Sequence, residues 1–130
     1  MKVMIDTNVL ISAIYSPSSY PAKVVRYAAD HHTIVLCNHI IQECQYIFEK
    51  KFPSDTPVLL KLLSSIDYQL ADESQRSCFL ISDLKDQPIL NAACSAKVDM
   101  LVTGDKHFSN LDIPNMQILT PHEFCRFHSL

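Results

Sequence analysis

The chain has 130 residues, of which 48% are hydrophobic and 19% charged, and its formal net charge is −3. This length and apolar content predict one folded domain spanning residues 1–130 and argue against wholesale disorder. A single glycine, Gly104, excludes phosphate-binding loops and dinucleotide fingerprints, which need several glycines at fixed spacing. The negative net charge argues against a protein that coats nucleic acid, so a nucleic-acid substrate would need a local basic rim.

The five cysteines form no C-x-x-C pair, and most stand in apolar segments where a thiol behaves as a small hydrophobic residue. No stretch reaches the roughly 18 apolar residues that a membrane span requires, and the first residues lack the pattern of a signal peptide. We therefore expect a soluble protein of the reducing cytoplasm.

Short apolar segments alternate with amphipathic ones along the chain. In order, the prediction is strand Lys2–Ile5, helix 8–15, helix 21–31, strand Thr33–Cys37, a helix capped by Asn38 and ending near Lys51, a helix opened by Pro57, strand Tyr68–Ala71, a helix opened by Asp86 and Pro88, strand 99–103, strand Gln117–Leu119 and a terminal helix opened at 120–123. Residues 72–77 have the composition of a loop, and residues 78–81 are left unassigned. The alternation predicts a three-layer α/β sandwich with a mostly parallel central sheet, whose ligand site lies at the carboxyl ends of the strands.

Two aspartates follow predicted strands. Asp6 comes directly after the first strand, and Asp105 follows strand 99–103 and Gly104. If these strands are neighbours, the two carboxylates converge and favour a hard cation such as Mg²⁺ or Mn²⁺ over zinc, which prefers His or Cys. Either aspartate could instead cap a helix or turn. A lone glycine is expected where the backbone turns tightly or leaves room for a ligand.

Two further acids lie on or next to predicted helices. Glu43 falls at the edge of the apolar stripe of its helix, which predicts a half-buried side chain, although glutamates ordinarily occupy a solvated helix face. Asp86, close to Asp83, precedes the alanine-rich helix, where simple N-capping also explains an aspartate. No single acid identifies a function.

The order of these residues resembles a known family. The sequence D-T-N follows the first strand, I-x-E ends at Glu43, D-x-K-D-x-P-I-L spans 83–90, and L-V-T-G-D-K-H-F spans 101–108. Across essentially its whole length the chain is similar to the PIN-domain family, and most to its branch of VapC-like toxins from toxin–antitoxin pairs.

The resemblance implies an endoribonuclease that uses Mg²⁺ or Mn²⁺ to hydrolyse phosphodiester bonds in single-stranded RNA. The implied catalytic acids are Asp6, Glu43, Asp86 and Asp105. The three aspartates would hold the metal, and Asn8, Thr103 and Asp83 would support them. The resemblance also implies a cognate antitoxin protein as partner and a homodimer.

Two positions depart from the family pattern. Many members carry a further acid two residues after the last aspartate, where this chain has His107. This histidine would lower the negative charge available to a second ion, so a one-metal site is an alternative, while a histidine in a turn is ordinarily a surface residue. Asp83 and Asp86 both qualify as the third acid, and we prefer Asp86 because it adjoins the helix start.

The local basic rim has several candidate members. The lysines predicted to contact RNA are Lys50, Lys51 and Lys106, and further candidates are Lys85, Arg26 and Arg76. Tyr15 or Tyr46 could stack on an unpaired base, although aromatic residues on helices more often pack against the core.

Other classes of protein share part of this pattern. An aspartyl-phosphate phosphatase or a receiver domain also has an aspartate after its first strand. The phosphatase needs a second acid two residues on, where this chain has Asn8, and the receiver needs an acidic pair before its aspartate. A non-catalytic PIN-like module that binds RNA or a protein without cutting it is the third alternative, and metal titration separates the three.

Overall fold

The computed structural model describes residues 1–74 and 79–130 and contains a five-stranded parallel sheet. The strands are β1 (Lys2–Ile5), β2 (Thr33–Cys37), β3 (Tyr68–Ala71), β4 (Met100–Val102) and β5 (Gln117–Leu119). Their order across the sheet is β3-β2-β1-β4-β5. The chain therefore extends the sheet to one side as far as β3, and then returns past β1 to add β4 and β5 on the other side.

Six α-helices of the described residues connect and flank these strands. They are α1 (Thr7–Tyr15), α2 (Tyr20–His31), α3 (Asn38–Lys51), α4 (Thr56–Ser65), α5 (Gln87–Ala96) and α6 (Pro121–Phe127). Short 3-10 turns occupy Pro53–Asp55, Leu84–Asp86 and Lys106–Phe108. The arrangement is the predicted three-layer α/β sandwich, with small shifts at the element boundaries.

The central strands are buried because both faces of the sheet are covered. Val3, Met4 and Ile5 are fully buried, as are most residues of β2 and β4, and parallel strands covered on both faces are continuous apolar runs. Ile5 pairs with Val102, and the Asp6 backbone N–H donates to the Val102 carbonyl at 3.0 Å. The residues that follow β1 and β4 therefore emerge side by side at the carboxyl edge of the sheet.

Two helix starts differ in how well the sequence predicted them. The Thr120 hydroxyl accepts from the Glu123 backbone N–H at 3.1 Å, and the Glu123 carboxylate accepts from the Thr120 N–H at 3.0 Å, which confirms the start of α6 as a capping box. The prediction of Asn38 as a cap was wrong. Asn38 is the first residue of α3, and the residue before it, Cys37, makes no side-chain cap bond, since Cys37 is still part of β2.

Gly104 was expected where the backbone turns tightly or leaves room for a ligand. Its φ is not positive, so the left-handed backbone that favours glycine is not used here. A Cβ at this position would meet no atom within 4 Å, so there is open space immediately before Asp105.

Three cysteines of the described residues are buried like small hydrophobic side chains, as predicted. Cys37, Cys44 and Cys125 are buried, and burial raises the pKa of the Cys37 and Cys44 thiols to about 12. The predictions for residues 75–78, which include Arg76, lie outside the described residues. Residues 72–74 and 79–81 form no helix or strand. Nowhere in the described ranges is a helix both long and apolar enough to cross a membrane.

Candidate active site

Asp6 is held in a fixed position at the end of β1. It is only 4% exposed, and its Oδ1 accepts from the Thr7 backbone N–H at 2.7 Å as the N-cap of α1. Its Oδ2 accepts from the Thr103 hydroxyl at 2.7 Å. Burial raises the pKa of Asp6 above its ordinary value, and these two hydrogen bonds oppose that rise. Asp6 therefore both caps a helix and faces the end of β4.

Thr103 links the two aspartates that the sequence placed after β1 and β4. Its hydroxyl donates to Asp6 and accepts from the Asp105 backbone N–H at 3.0 Å. The Asp105 Oδ1 in turn accepts from the His107 backbone N–H at 2.9 Å, which fixes the 3-10 turn Lys106–Phe108. The carboxyl end of β4 is thus tied to Asp6 through one buried hydroxyl.

Three acids, Asp83, Asp86 and Asp105, lie around the imidazole of His107. The His107 Nδ1 lies 3.0 Å from Asp105 Oδ1, 3.5 Å from Asp86 Oδ2 and 3.6 Å from Asp83 Oδ2. Side-chain exposure is 14% for Asp86, 35% for Asp83 and 48% for His107. We call these four residues, Asp83, Asp86, Asp105 and His107, the acidic rim.

The acidic rim contains like charges that affect one another. Burial, a hydrogen bond with Asp105 and the neighbouring negative charges raise the pKa of Asp86 to about 7. Although burial also acts on Asp105, the His107 N–H, the hydrogen bond with Asp86 and the charge of His107 hold the pKa of Asp105 below its ordinary value. The two carboxyl groups therefore shift each other's pKa in opposite directions.

Capping explains Asp83 but not Asp86. The Asp83 Oδ1 accepts from the Lys85 N–H at 3.1 Å and caps the turn Leu84–Asp86. Asp86 stands at the N-cap position of α5, yet its side chain makes no cap hydrogen bond. Its carboxyl group is instead directed toward Asp105 and His107. The geometry therefore favours Asp86 as the inner acid and Asp83 as its outer neighbour.

Glu43 approaches the site from α3 and is half-buried, as predicted. Its Oε1 accepts from the Thr7 hydroxyl at 2.9 Å and lies 3.4 Å from the His39 Nε2. Thr7 thus connects Glu43 with Asp6, because its backbone N–H and its hydroxyl contact different acids. The sequence named Asn8 among the supporting residues and did not name Thr7; Asn8 is exposed, and its buried neighbour Thr7 makes these contacts.

The basic and aromatic candidates differ in their availability. Lys50, Lys51 and Lys106 are exposed, whereas the Arg26 guanidinium donates to the Pro17 carbonyl at 2.8 Å. The Tyr15 hydroxyl donates to Asp55 at 2.9 Å, and its ring stacks on Phe48. Tyr46 is 61% exposed and lines a groove of about 420 Å³ with His39, Gln42, Glu43 and Ile47. Tyr46 is therefore the aromatic side chain that is open to a base.

The donor set fits a divalent cation. One ligand atom each from Asp83, Asp86 and His107 lie within 4.8 Å of one another, and Asp105 contacts two of these residues. Carboxylate oxygens suit Mg²⁺ and Mn²⁺, and a cation would offset the repulsion that raises the pKa of Asp86. Asp6 is not part of this group of ligand atoms; its negative charge acts on Asp86, and each of its oxygens accepts one hydrogen bond within the fold.

Comparisons with known proteins agree on the family and the fold. The chain belongs to the PIN domain family, whose model matches residues 2–107, which confirms the resemblance drawn from the sequence. PIN domains are in general nucleases that use divalent metal ions. A relative in Methanocaldococcus jannaschii, the uncharacterized protein MJ1680, is 25% identical over 139 residues, which cover 95% of this chain and 89% of the relative.

Solved structures share the architecture at low sequence identity. VapBC2 from Rickettsia felis, bound to a DNA fragment from its promoter, matches with a TM-score of 0.71 and 23% identity, over 92% of this chain and 98% of that chain. DNA-bound VapBC from Salmonella typhimurium matches with a TM-score of 0.68 and 18% identity, over 93% of this chain and 98% of that chain. The RRP44 PIN domain of T. brucei gives 0.58 and 16%, over 98% and 80%. These likenesses establish the fold.

Proposed function

We propose that this chain is a metal-dependent endoribonuclease that hydrolyses phosphodiester bonds in single-stranded RNA and is the toxin of a toxin–antitoxin pair in the cytoplasm. The observation that carries the proposal is the convergence of Asp6, Asp86 and Asp105 at the carboxyl edge of β1 and β4, with Glu43 joined to them through Thr7. Membership of the PIN domain family supports the class of reaction.

Each acid has a distinct role in this proposal. Asp6, Asp86 and Asp105 hold the cation, Thr103 fixes Asp6 and Asp105 relative to each other, and Glu43 orients the water that attacks the phosphate. A divalent cation bound there polarises a phosphate oxygen and lowers the pKa of nearby water. This reaction requires no covalent nucleophile from the protein, and Asp6 is poorly suited to be one because it is buried and both of its oxygens already accept hydrogen bonds. The same observation disfavours the aspartyl-phosphate alternative.

The substrate path follows the outer surface of α3. The Lys50 ammonium lies 5.7 Å from the Tyr46 ring centroid, and Tyr46 borders the groove that Glu43 also lines. An unpaired base stacked on Tyr46 would place its phosphate between Glu43 and the lysines at the end of α3, Lys50 and Lys51. Lys106, next to Asp105, would contact the phosphate on the other side of the site. These exposed cations form the local rim that a net charge of −3 requires.

The toxin assignment draws on the shape and charge of the site. An exposed acidic rim attracts a basic side chain, and the planar guanidinium of an arginine meets two carboxylates at once. Leu80 and Leu84, next to Asp83, are more than three-quarters exposed and offer apolar contact to the same partner. The solved neighbours named VapBC are complexes of this architecture. We expect a cognate antitoxin and a homodimer.

Cleavage assays with a chelator and two variants test the nuclease. Single-stranded RNA should be cut with Mg²⁺ or Mn²⁺ present and left intact with excess chelator. Asp6→Asn should abolish cleavage, because it removes the charge at nearly constant volume, whereas Asp112→Asn, an exposed acid before β5, should cut normally. Cleavage that persists in chelator, or in Asp6→Asn, contradicts the proposal. A protein that binds RNA and metal but never cuts would be the non-catalytic module.

Co-expression tests the partner separately. Expression of this chain alone should slow growth, and the adjacent small gene should yield a stable complex with suppressed cleavage. Changing a basic residue in the carboxyl-terminal segment of that partner should restore cutting. The absence of both a partner gene and a growth defect rejects the toxin and leaves the nuclease.

A further inference from the structure

His107 is the one member of the acidic rim that is not an acid, and its position is fixed by the fold. Phe108, the next residue, is fully buried, and the His107 backbone N–H is bonded to Asp105. The backbone at His107 is therefore held next to the carboxylates. Its Nδ1, rather than its Nε2, faces all three acids at 3.0 to 3.6 Å.

These distances suit atoms that share one ion. Metal–ligand bonds of about 2.0 to 2.3 Å leave adjacent ligand atoms about 3 Å apart or slightly more. The ligand atoms of Asp83, Asp86 and His107 lie within 4.8 Å of one another without any rearrangement. A histidine paired with carboxylates as a simple counter-ion would satisfy the same contacts, so the two roles must be separated by their consequences.

We propose that His107 is a metal ligand through Nδ1 and that it makes this centre selective for a first-row transition ion, Mn²⁺ in our test, over Mg²⁺. This inference rests on the proposed metal centre and adds the identity of the ion. Mg²⁺ takes oxygen ligands almost exclusively, whereas first-row transition ions also bind imidazole nitrogen, more weakly for Mn²⁺ than for the metals after it. Replacing an acid by a histidine also lowers the negative charge of the site, which weakens Mg²⁺ more than an ion that gains a nitrogen bond.

Metal binding to the whole chain, measured calorimetrically for each ion, distinguishes a ligand from a counter-ion. His107→Asn should lower the affinity for Mn²⁺ by at least about tenfold, as expected for loss of a direct ligand. The affinity for Mg²⁺ should stay within about twofold of the value for the unmodified chain. His107→Asp should reduce the preference for Mn²⁺ over Mg²⁺. If His107 is only a counter-ion, its removal increases the affinity for both Mn²⁺ and Mg²⁺, and that result overturns the inference.

Spectroscopy of bound Mn²⁺ provides a readout that does not depend on activity. Pulsed electron paramagnetic resonance should detect coupling to a histidine nitrogen, and the coupling should vanish in His107→Asn. It should persist in the matched control His39→Asn, because His39 contacts Glu43 on the other side of the site. No nitrogen coupling in the unmodified chain overturns the inference.

One further variant separates this inference from the proposed function. Asp86→Asn should weaken both ions, since a carboxylate ligand serves either metal. If Asp86→Asn lowers the affinity for both ions while His107→Asn changes neither affinity, the metal centre stands and the role of His107 is rejected. If Asp86→Asn changes neither ion, the proposed centre itself is wrong. Circular dichroism of each variant confirms that it is folded before binding is interpreted.

Discussion

The two sides of the candidate site are built on different principles. On the inner side, Asp6 and Glu43 receive hydrogen bonds from Thr7 and Thr103, so each acid has a donor that the fold supplies. In the acidic rim, carboxyl groups face one another, and burial, a hydrogen bond with Asp105 and the neighbouring negative charges raise the pKa of Asp86 to about 7. The acids of the inner side have hydrogen-bond donors within the fold, although burial still raises the pKa of Asp6, whereas the acidic rim gains most from a cation.

This difference predicts opposite effects of substitution on the free energy of unfolding at the two sides of the site. Buried, satisfied hydrogen bonds contribute to stability, and removing one partner leaves the other unsatisfied. Like charges held together in the folded state oppose folding, and such strain is typical of sites that bind something. Substitutions on the inner side should therefore destabilise the chain, and neutralising substitutions in the acidic rim should stabilise it when metal is withheld.

The largest expected effect comes from truncating Asp6, on the inner side of the site. Asp6→Ala leaves the Thr103 hydroxyl and the Thr7 N–H without their acceptor, and should lower the free energy of unfolding by about 1 to 3 kcal/mol. Urea unfolding in excess chelator measures this. Asp6→Asn keeps an acceptor oxygen and should lose about half as much. A loss as large in Asp112→Asn would mean that the effect is general rather than local.

The acidic rim should respond in the opposite direction. Asp86→Asn removes a like charge yet can still donate to Asp105, so we expect it to raise the free energy of unfolding by about 1 kcal/mol at pH 8 in chelator. Saturating Mn²⁺ should reverse the order of the two proteins, since only the carboxylate binds the ion well. Destabilisation by Asp86→Asn in chelator would show that the rim is not strained.

The stability difference between Asp86→Asn and the unmodified chain should depend on pH, because the pKa of Asp86 is raised in the folded state. The pKa of Asp86 is about 7 in the folded chain, against an ordinary value of 3.8, so the folded state holds a proton that the unfolded state releases. This contribution to stability is complete below about pH 4 and is lost as the pH rises through 7. The advantage of Asp86→Asn should therefore grow between pH 5 and pH 8.

The parts of this picture that the sequence could predict are those that depend on local pattern. The apolar runs of β1 and β4 predicted buried parallel strands, and strand ends alone brought Asp6 and Asp105 to one edge. The contacts of His107 could not be predicted, because they require the turn at Leu84–Asp86, which is distant in sequence, to fold against the turn that holds the histidine. Tyr15 and Tyr46 also looked equivalent in the sequence, because only the fold shows that the Tyr15 ring stacks on Phe48 and that its hydroxyl donates to Asp55.

The contact between Thr7 and Glu43 could not be predicted for a similar reason, and the sequence named only its neighbour Asn8 among the supporting residues. In D-T-N, both polar residues after Asp6 are ordinary at a helix start, and only the rotation of α1 decides which one faces inward. Thr7 is 3% exposed and faces α3, while Asn8 faces solvent. The one-residue difference corresponds to about 100° around a helix.

The smallest expected effect tests this choice between two adjacent residues. Thr7→Val keeps the side-chain volume but removes the hydroxyl that donates to Glu43 at 2.9 Å, so we expect a loss of about 0.5 to 1 kcal/mol in the free energy of unfolding. Thr7→Ser keeps the hydroxyl and should retain that hydrogen bond. Asn8→Ala should change stability by less than about 0.5 kcal/mol, because the side chain is exposed. Equal losses in Thr7→Val and Asn8→Ala would place Glu43 outside the inner side of the site, since its orientation would then not depend on Thr7.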